Sequence, residues 1–303
     1  MLPDRKSRTF IEPQVVARLA GVPLVSRRPM QGNVSGRHVS PHRGASVEFA
    51  EYRKYVPGDD LRRLDWRAYG RSDRYYIKEF EADTNLRCCL VLDASGSMGF
   101  GSHGLTKLQY ARQIAATMAY LAVQQGDAAG LTCVAEGITQ QLPPKRNAAH
   151  LSNLFDMLER TEAAGPTRLT AILHELAETV RQRALVVIVS DFFLPSEELR
   201  SCFEHLRFRR HDVAAIQLLD PSELDFQFQR PMRFLDMEGG PAIFADPALI
   251  SQRYHSALTA HLDALRGVVM ETGVDYQQVN IAQPHEEILM RFLVGRLRNR
   301  GRR

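Results

Sequence analysis

The feature that most constrains the fold is a regular alternation of strand and helix patterns from residue 86 onward. The apolar run "LRCCLVLD" ends in Asp93, and the β-branched run "ALVVIVSD" ends in Asp191. Continuous apolar runs of this length are typical of parallel strands that are buried on both faces. Because segments with helical spacing separate these runs, the pattern predicts an α/β fold with a doubly wound, mostly parallel sheet.

Several of the predicted helices carry end signals. Thr106 and Gln109 have the spacing of a capping box, and Gly126 is a typical C-terminal stop. Asp246 followed by Pro247 predicts the start of a later helix, because proline is favoured in the first helical turn. The segment 226–240, "FQFQRPMRFLDMEGG", is predicted to form a hairpin between two of the helical segments.

Composition divides the chain into three segments. Residues 1–45 are rich in Gly, Pro, Ser, Arg and His, which indicates an N-terminal basic arm or loop. Residues 46–85 combine dense charge of both signs with aromatic residues, and we expect this segment to dock on the core. Residues 86–303 form the predicted α/β domain, with a C-terminal strand, a helix and a basic tail.

The overall composition excludes several protein classes. The chain is 44% hydrophobic and 24% charged, which is typical of a soluble globular protein. No apolar run approaches the roughly 18 residues that a membrane helix needs. The first residues lack the apolar core of a signal peptide, and the four cysteines form no CxxC pair. We therefore expect a cytoplasmic protein with reduced thiols and no transmembrane segment.

Charge is concentrated at the two ends of the chain. Residues 1–54 hold ten Lys and Arg against four Asp and Glu, and residues 291–303 hold six Arg and no acid. The net charge of +4 is too small to favour nucleic acid as a partner. Both basic ends are interpreted as solvated termini, with contact to acidic lipid, RNA or an acidic protein as the alternative.

Polar side chains follow the two best-defined strands. The sequence "DASGS", residues 93–97, places a carboxylate and two hydroxyls directly after the first strand, and Asp191 follows the later one. Between them, "GPTRLT" contributes Thr167 and Thr170 near the start of a helix. Hard oxygen ligands of this kind suit Mg²⁺ or Mn²⁺. The alternative is that these residues serve only as turn acceptors and helix caps. The predicted metal ligands are Asp93, Ser95, Ser97, Thr167 and Asp191.

This set resembles the metal-ion-dependent adhesion site of the von Willebrand factor A-like domain. That family has D-x-S-x-S after the first strand, then a threonine, then an aspartate after a later strand. Thr167 stands where the family often has Gly-Gly-Thr, so it is preferred to Thr170, although Pro166 replaces a glycine. The resemblance implies that the two serines, and sometimes the threonine, contact the metal directly. It implies that the two aspartates act largely through water and that one position stays open for a partner's carboxylate.

The segment 46–85 resembles the signature of a bacterial family of unknown function that joins it to a von Willebrand A-like domain. Members of that family are typically associated with MoxR-type AAA+ ATPases, which implies such an ATPase as a partner. The segment is interpreted as a β-rich collar on the α/β domain. A partner-binding surface and a second metal site on Asp59, Asp60 and Asp65 are the alternatives. The matching residues are Phe49, Arg53, Tyr55, Gly58, Asp59, Asp60, Arg62, Asp65, Trp66 and Lys78.

Together these features predict a metal-dependent protein-binding adaptor that is not an enzyme. It would present Mg²⁺ to an acidic residue of a partner and work with a MoxR-type AAA+ ATPase in protein assembly or remodelling. One alternative is a Mg²⁺-dependent hydrolase, although no general base is evident beside Asp93 and Asp191. The other is an RNA or membrane-surface binder that uses the basic termini.

Overall fold

A computed structural model of the chain describes residues 10–27, 48–54, 76–81 and 86–298. Contacts between Cα atoms separate the chain into two compact units, residues 1–27 together with 87–303, and residues 28–86. No helix within the described ranges is both long enough and apolar enough to cross a membrane. The four cysteines are free.

The strands alternate with helices along the larger unit. In chain order the strands are β1 Glu48–Lys54, β2 Tyr76–Glu81, β3 Arg87–Asp93, β4 Ala128–Val134, β5 Ile138–Lys145, β6 Leu185–Ser190, β7 Asp212–Leu219, β8 Met232–Phe234, β9 Ile243–Ala245 and β10 Asp275–Asn280. The α-helices are α1 Pro13–Leu19, α2 Lys107–Gln124, α3 Ala148–Arg160, α4 Leu169–Thr179, α5 Ser196–Phe208, α6 Pro221–Asp225, α7 Pro247–Thr272 and α8 His285–Arg298.

A six-stranded sheet with the order β10-β7-β6-β3-β4-β5 forms the centre of the larger unit. All neighbouring pairs are parallel except β4 with β5, which is antiparallel. Helices α4, α5 and α7 pack together as one layer, and α1, α2, α3 and α8 form a second layer. The predicted α/β fold with a doubly wound, mostly parallel sheet is therefore confirmed.

The central strands could be predicted from the sequence because they are buried on both faces. Every residue of β4, β6 and β7 is buried, as their continuous apolar runs predicted. Strand β5 has no counterpart among the predicted elements, and its residues alternate between half-buried and exposed. It contains Pro143 and Pro144, which a sheet tolerates at an edge because no neighbour there requires the missing N–H donor.

The predicted helix ends are confirmed. The Thr106 hydroxyl accepts from the main-chain N–H of Gln109 at 3.1 Å, and the Gln109 side chain accepts from the N–H of Thr106 at 2.9 Å. Gly126 follows α2 with a positive φ of 80°. Asp246 caps α7 by accepting from the N–H of Ala248 at 3.0 Å. The predicted hairpin is present as β8 paired with β9.

The N-terminal segment differs from the expected loop or loose arm. Residues 13–19 form α1, and Leu19 and Leu24 are fully buried within the larger unit. The side chain of Gln125 accepts from the N–H of Leu24 at 2.8 Å and donates to the carbonyl of Val22 at 3.1 Å. The docking is explained by Val15, Val16 and Leu19, which lie on one face of α1. The composition of the segment does not show this spacing. The rest of the predicted arm lies outside the described residues.

The basic C-terminal stretch also differs from a solvated tail. Arg296 is only 1% exposed and forms ion pairs with Asp212 and, at 2.8 Å, with Asp275. Its Nε donates to the carbonyl of Val25 at 2.8 Å, and its guanidinium lies 5.2 Å from the ring centroid of Phe292. Arg296 is therefore part of the protein interior and not of a solvated tail. Residues 299–303 lie outside the described ranges.

The smaller unit contains the β-hairpin formed by β1 and β2, which pair antiparallel. A β-hairpin at this place agrees with the β-rich character expected of the segment 46–85. Its proposed docking on the core stays a prediction. Signature residues outside the described ranges are Tyr55, Gly58, Asp59, Asp60, Arg62, Asp65 and Trp66.

Buried His211 makes the stability of the fold depend on pH. Its Nδ1 accepts from the N–H of Ala184 at 3.3 Å, and among the described residues its buried Nε2 has no hydrogen-bond partner. Burial, reinforced by Arg209, lowers the pKa of His211 to about 4, so the unfolded chain binds the proton more tightly than the native protein. The contribution is complete above pH 6.5, the unfolded value, and is lost as the pH falls toward 4.

We expect wild type to lose about 2 kcal/mol more than the His211→Gln variant between about pH 7 and pH 4.5. The measurement is urea unfolding at both pH values. The exposed residue His103, changed to Gln, is the matched control and is expected to follow wild type. Identical pH slopes for wild type and His211→Gln would contradict the assignment.

Candidate metal centre

The parallel arrangement of β3 and β6 brings two of the predicted carboxylates to one edge of the sheet. The strands are hydrogen-bonded neighbours, and Asp93 and Asp191 lie at their carboxyl ends. Both aspartates are buried. Burial, followed by repulsion from Asp191, raises the pKa of Asp93 to about 6. A bound cation would stabilise the two buried, negatively charged carboxylates.

The loop after β3 holds the Asp93 carboxylate by both oxygens. Oδ1 accepts from the N–H of Ser95 at 3.0 Å, and Oδ2 accepts from the hydroxyl of Ser190 at 2.6 Å. These two hydrogen bonds fix the orientation of the carboxylate. Each oxygen keeps a second lone pair that can accept from water or bind a metal ion. A 3₁₀ turn at Gly96–Gly99 then reverses the chain.

The two serine hydroxyls of this loop lie side by side. Ser95 Oγ and Ser97 Oγ are 3.2 Å apart and form a hydrogen bond with each other. Two neighbouring ligands of an octahedral Mg²⁺, each at about 2.1 Å from the ion, are separated by about 3 Å. The spacing of the hydroxyls therefore fits two adjacent positions on one small divalent cation.

Main-chain hydrogen bonds attach the loop that carries Thr167 to the serine loop. The N–H of Ala164 donates to the carbonyl of Ala94 at 3.0 Å, and the N–H of Gly96 donates to the carbonyl of Gly165 at 2.8 Å. Thr167 is half-buried, and its hydroxyl accepts from the N–H of Leu169 at 3.3 Å. The hydroxyl of Thr170 instead donates to Glu198 at 3.2 Å, on the neighbouring helix α5. This geometry favours Thr167 over Thr170.

A buried lysine completes the charge balance and was not among the predicted site residues. Lys107 is fully buried, and its Nζ lies 2.8 Å from Asp191 Oδ2 and 2.6 Å from Glu223 Oε1. Burial alone would lower its pKa, but attraction to the two carboxylates outweighs that effect and the pKa is raised. The ammonium is therefore charged. It already neutralises part of the negative charge that a metal ion would meet.

One signal in the sequence could have identified this lysine. Lys107 is the first residue of α2, where the helix dipole disfavours a positive charge. A cation at that position needs carboxylate partners, and Asp191 and Glu223 supply them from elements 84 and 116 residues away. Glu223 also belongs to the capping box of α6, with Asp220 as its N-cap.

Asp220 is a third carboxylate at the end of a strand. It follows β7 and is fully buried. It accepts from the N–H of Ser102 at 2.9 Å and from the Ser102 hydroxyl at 2.5 Å. Burial opposes ionisation, but these bonds and those from Ser222 outweigh it and lower the pKa of Asp220. Asp220 thus anchors the glycine-rich loop 99–104 beside the candidate centre.

The turn between β8 and β9 lies over the serine and threonine loops. A β-carbon on Gly96 would collide with the main-chain carbonyl of Met237, and one on Gly99 would lie 3.3 Å from the Met237 methyl group. Glu238 Oε2 accepts from the N–H of Thr167 at 3.4 Å. Glycine at position 96 is therefore required by the close approach of this turn.

The donor set fits a small, hard divalent cation. It offers two carboxylates and three hydroxyls, with the serine oxygens at octahedral spacing. Within residues 10–27, 48–54, 76–81 and 86–298 there is no group of three or more His, Cys, Asp or Glu placed to hold a metal. The candidate ligands here depend on serine and threonine hydroxyls instead.

The fold and the site define an α/β domain with a carboxylate and hydroxyl cluster at the carboxyl ends of its parallel strands. The chain belongs to the family described as "Protein of unknown function DUF58", whose model matches residues 51–263. This agrees with the predicted membership of a family of unknown function. The association with MoxR-type ATPases stays a prediction.

Relatives of this chain occur in mycobacteria. It is 27% identical over 266 residues to the uncharacterized protein Mb1516 of Mycobacterium bovis, covering 85% of this chain and 82% of the relative. The uncharacterized protein Rv1480 of Mycobacterium tuberculosis matches with the same identity and the same coverage.

Two of the solved structures that match this chain do so at 12% sequence identity. The conserved hypothetical protein BatB from Bacteroides thetaiotaomicron has a TM-score of 0.49 and covers 71% of this chain and 100% of its own. The SpRpn10 VWA domain has a TM-score of 0.40 and covers 68% of this chain and 94% of its own.

Proposed function

We propose that this protein is a metal-dependent protein-binding adaptor that presents Mg²⁺, or Mn²⁺, to an acidic residue of a partner. The observation that carries the proposal is the convergence of Asp93, Ser95, Ser97 and Asp191 at one edge of the sheet, with Thr167 in the adjoining loop. The two serine oxygens, 3.2 Å apart, supply the spacing that one octahedral ion needs.

The charge balance of the site supports a role in binding an anionic group. Hydroxyl ligands leave the charge of a divalent cation largely uncompensated, and the Lys107 ammonium already offsets part of the charge on Asp191. A cation held in this way keeps its attraction for a further carboxylate. An acidic side chain of a partner is the ligand that such an ion would bind.

The same contacts favour binding over catalysis, and we propose that the protein is not an enzyme. A general base needs a carboxylate or imidazole within hydrogen-bond reach of the proton that it removes. Both oxygens of Asp93 accept hydrogen bonds from the protein, and Asp191 is paired with Lys107. These carboxylates are engaged in holding the site together.

We further propose a MoxR-type AAA+ ATPase as the partner and the cytoplasm as the location. The partner rests on the resemblance of the segment 46–85 to its family signature. The location is supported by four free cysteines, three of them buried, a state that reducing compartments maintain. A role for the basic C-terminal stretch in RNA or lipid contact is weakened because Arg296 is internal.

The proposal is tested by affinity capture from the native cell extract. Wild type is compared in Mg²⁺ and in EDTA, and the Ser95→Ala/Ser97→Ala variant is compared in Mg²⁺. We expect an AAA+ ATPase to be retained only by wild type in Mg²⁺. Calorimetry is expected to give Mg²⁺ binding at least tenfold weaker in the variant, because two direct ligands are removed.

A second pair of serines provides the matched control. Ser201 and Ser256 are exposed on α5 and α7, so Ser201→Ala/Ser256→Ala removes two hydroxyls without touching the centre. This control is expected to bind Mg²⁺ and the partner as wild type does. Equal retention of the partner in all three arms would refute metal-dependent binding and move the function to another surface.

A further inference from the structure

We propose that Glu238 is an internal carboxylate that closes the metal centre, and that a partner's acidic residue must displace it. This inference rests on the proposed metal site and adds a regulated closed state to it. The β8–β9 turn carries Glu238, and the turn lies against the loops that hold Ser95, Ser97 and Thr167. Access of a partner to the metal then requires this turn to move.

The position of the turn is set by close packing. The main-chain carbonyl of Met237 approaches Gly96, the residue between the two serines, so closely that no side chain fits there. The next residue, Glu238, is half-buried, and its carboxylate accepts from the N–H of Thr167 at 3.4 Å. A carboxylate therefore already lies beside the threonine loop of the candidate centre.

The turn is built to hold Glu238 in this orientation. The Asp236 carboxylate accepts from the N–H of Glu238 at 2.7 Å, and Gly239 follows with φ of 95°, a conformation that favours glycine. The hairpin is anchored next to the turn, because Phe234, the last residue of β8, stacks on Phe226 with ring centroids 5.9 Å apart. The orientation of the acid thus comes from the local structure of the turn.

The outer part of the hairpin is weakly held, which suits a displaceable cover. Strands β8 and β9 are three residues long, and a two-stranded hairpin of this size has little stability of its own. Within the turn, Leu235 is 68% exposed and Met237 is 45% exposed. Only residues 235–242 lie beyond the Phe234–Ile243 pair, so that pair can act as the hinge for the turn.

The charges couple this closure to the metal. Asp93 and Asp191 repel a third carboxylate when no cation is bound, whereas a divalent cation reverses the sign of the interaction. The closed state is therefore favoured with metal present. A partner that offers a carboxylate competes with Glu238 for the same ion.

The experiment measures Mn²⁺ binding by electron paramagnetic resonance and the water-proton relaxation rate per bound Mn²⁺. The proteins are wild type, Glu238→Gln, Ser95→Ala/Ser97→Ala, and Glu204→Gln as the matched control. Glu204 is exposed near the C-terminal end of α5, so that change removes one carboxylate away from the strand ends. Circular dichroism confirms folding, and Glu238→Asp provides a second, milder change at the turn.

We expect Glu238→Gln to bind Mn²⁺ about tenfold more weakly than wild type, because one carboxylate is lost from the ion. Its bound Mn²⁺ is expected to relax water protons faster, since water replaces the carboxylate. Added acetate, the probe for a partner's acid, is expected to reduce that relaxation in Glu238→Gln and to have little effect in wild type. Glu238→Asp is expected to lie between the two, and Glu204→Gln to match wild type.

The outcomes separate this inference from the proposed function. If Ser95→Ala/Ser97→Ala loses Mn²⁺ while Glu238→Gln matches wild type in affinity, relaxation and acetate response, the internal carboxylate is refuted and the metal site stands. If wild type binds no Mn²⁺, or if the double serine variant binds it as wild type does, the metal site itself is refuted together with the closure.

Discussion

Lys107→Met is expected to destabilise the protein and to make its stability depend more strongly on a divalent cation. Without metal, we expect the free energy of unfolding to fall by about 3–5 kcal/mol, the usual cost of removing one partner from a buried ion pair. Lys107 Nζ lies within 2.8 Å of both Asp191 and Glu223, and its side chain is fully buried. Methionine fills similar volume but leaves two desolvated carboxylates, with Asp93 nearby, and no positive charge among them.

Mg²⁺ is expected to restore most of that stability in the variant. Ligand binding stabilises the native state by about 2.7 kcal/mol at a concentration of 100 times Kd. Removing the ammonium also removes a competitor for Asp191, so the affinity for Mg²⁺ is expected to rise. The stabilisation by Mg²⁺ should therefore be larger in Lys107→Met than in wild type.

Urea unfolding in EDTA and in Mg²⁺ measures both effects. Lys145→Met is the matched control, because Lys145 is exposed on the edge strand β5, and it is expected to behave as wild type in both buffers. If Lys107→Met is as stable as wild type in EDTA, Lys107 does not balance the charge. If Mg²⁺ stabilises both proteins equally, the ammonium does not compete with the metal.

Arg296→Met is expected to cost about 3–5 kcal/mol of stability that Mg²⁺ does not restore. Arg296 links three distant parts of the chain through Asp212, Asp275 and the carbonyl of Val25. The substitution removes the guanidinium partner of buried Asp212. It also removes the hydrogen bond from Arg296 to the carbonyl of Val25, which helps to hold the N-terminal segment. The site at the other ends of the strands is untouched, so added metal supplies no compensation.

Thermal and urea unfolding of Arg296→Met and Arg298→Met test this expectation. Arg298 lies on the same helix, α8, and is exposed, so its replacement removes the same charge without an internal partner. We expect Arg298→Met to stay within about 0.5 kcal/mol of wild type. Similar losses for both variants would mean that net charge, and not the buried ion pairs, governs the stability of this end of the protein.

The sheet and part of the site could be predicted because their signals are local. Residues 86–93 and 184–191 are continuous apolar runs that end in aspartate, and parallel strands place their carboxyl ends at one edge. Asp93 and Asp191 could therefore be predicted to lie at the same edge of the sheet. Strand β5 was not predicted because its sequence, ITQQLPPK, contains two prolines and shows no alternation of apolar and polar residues.

The long-range contacts of Glu238 and Lys107 at the site could not be predicted in the same way. Glu238 reaches Thr167 across 71 residues, and Lys107 reaches Glu223 across 116. Neither contact can be recognised from sequence periodicity, because each involves a single polar side chain whose partner is distant in the sequence. The same holds for Arg296, which sits within a stretch that composition alone presents as a basic tail.

The α/β class, the capped helices and the order of the oxygen-bearing residues follow from the amino-acid sequence, because periodicity, caps and strand ends are local properties. Which charges meet depends on how the folded chain packs: the ammonium lies beside Asp191, the guanidinium beside Asp212 and the Glu238 turn over the serine loop. Buried charges are stable only with partners, and those partners are brought into place when the whole sheet and its helices pack.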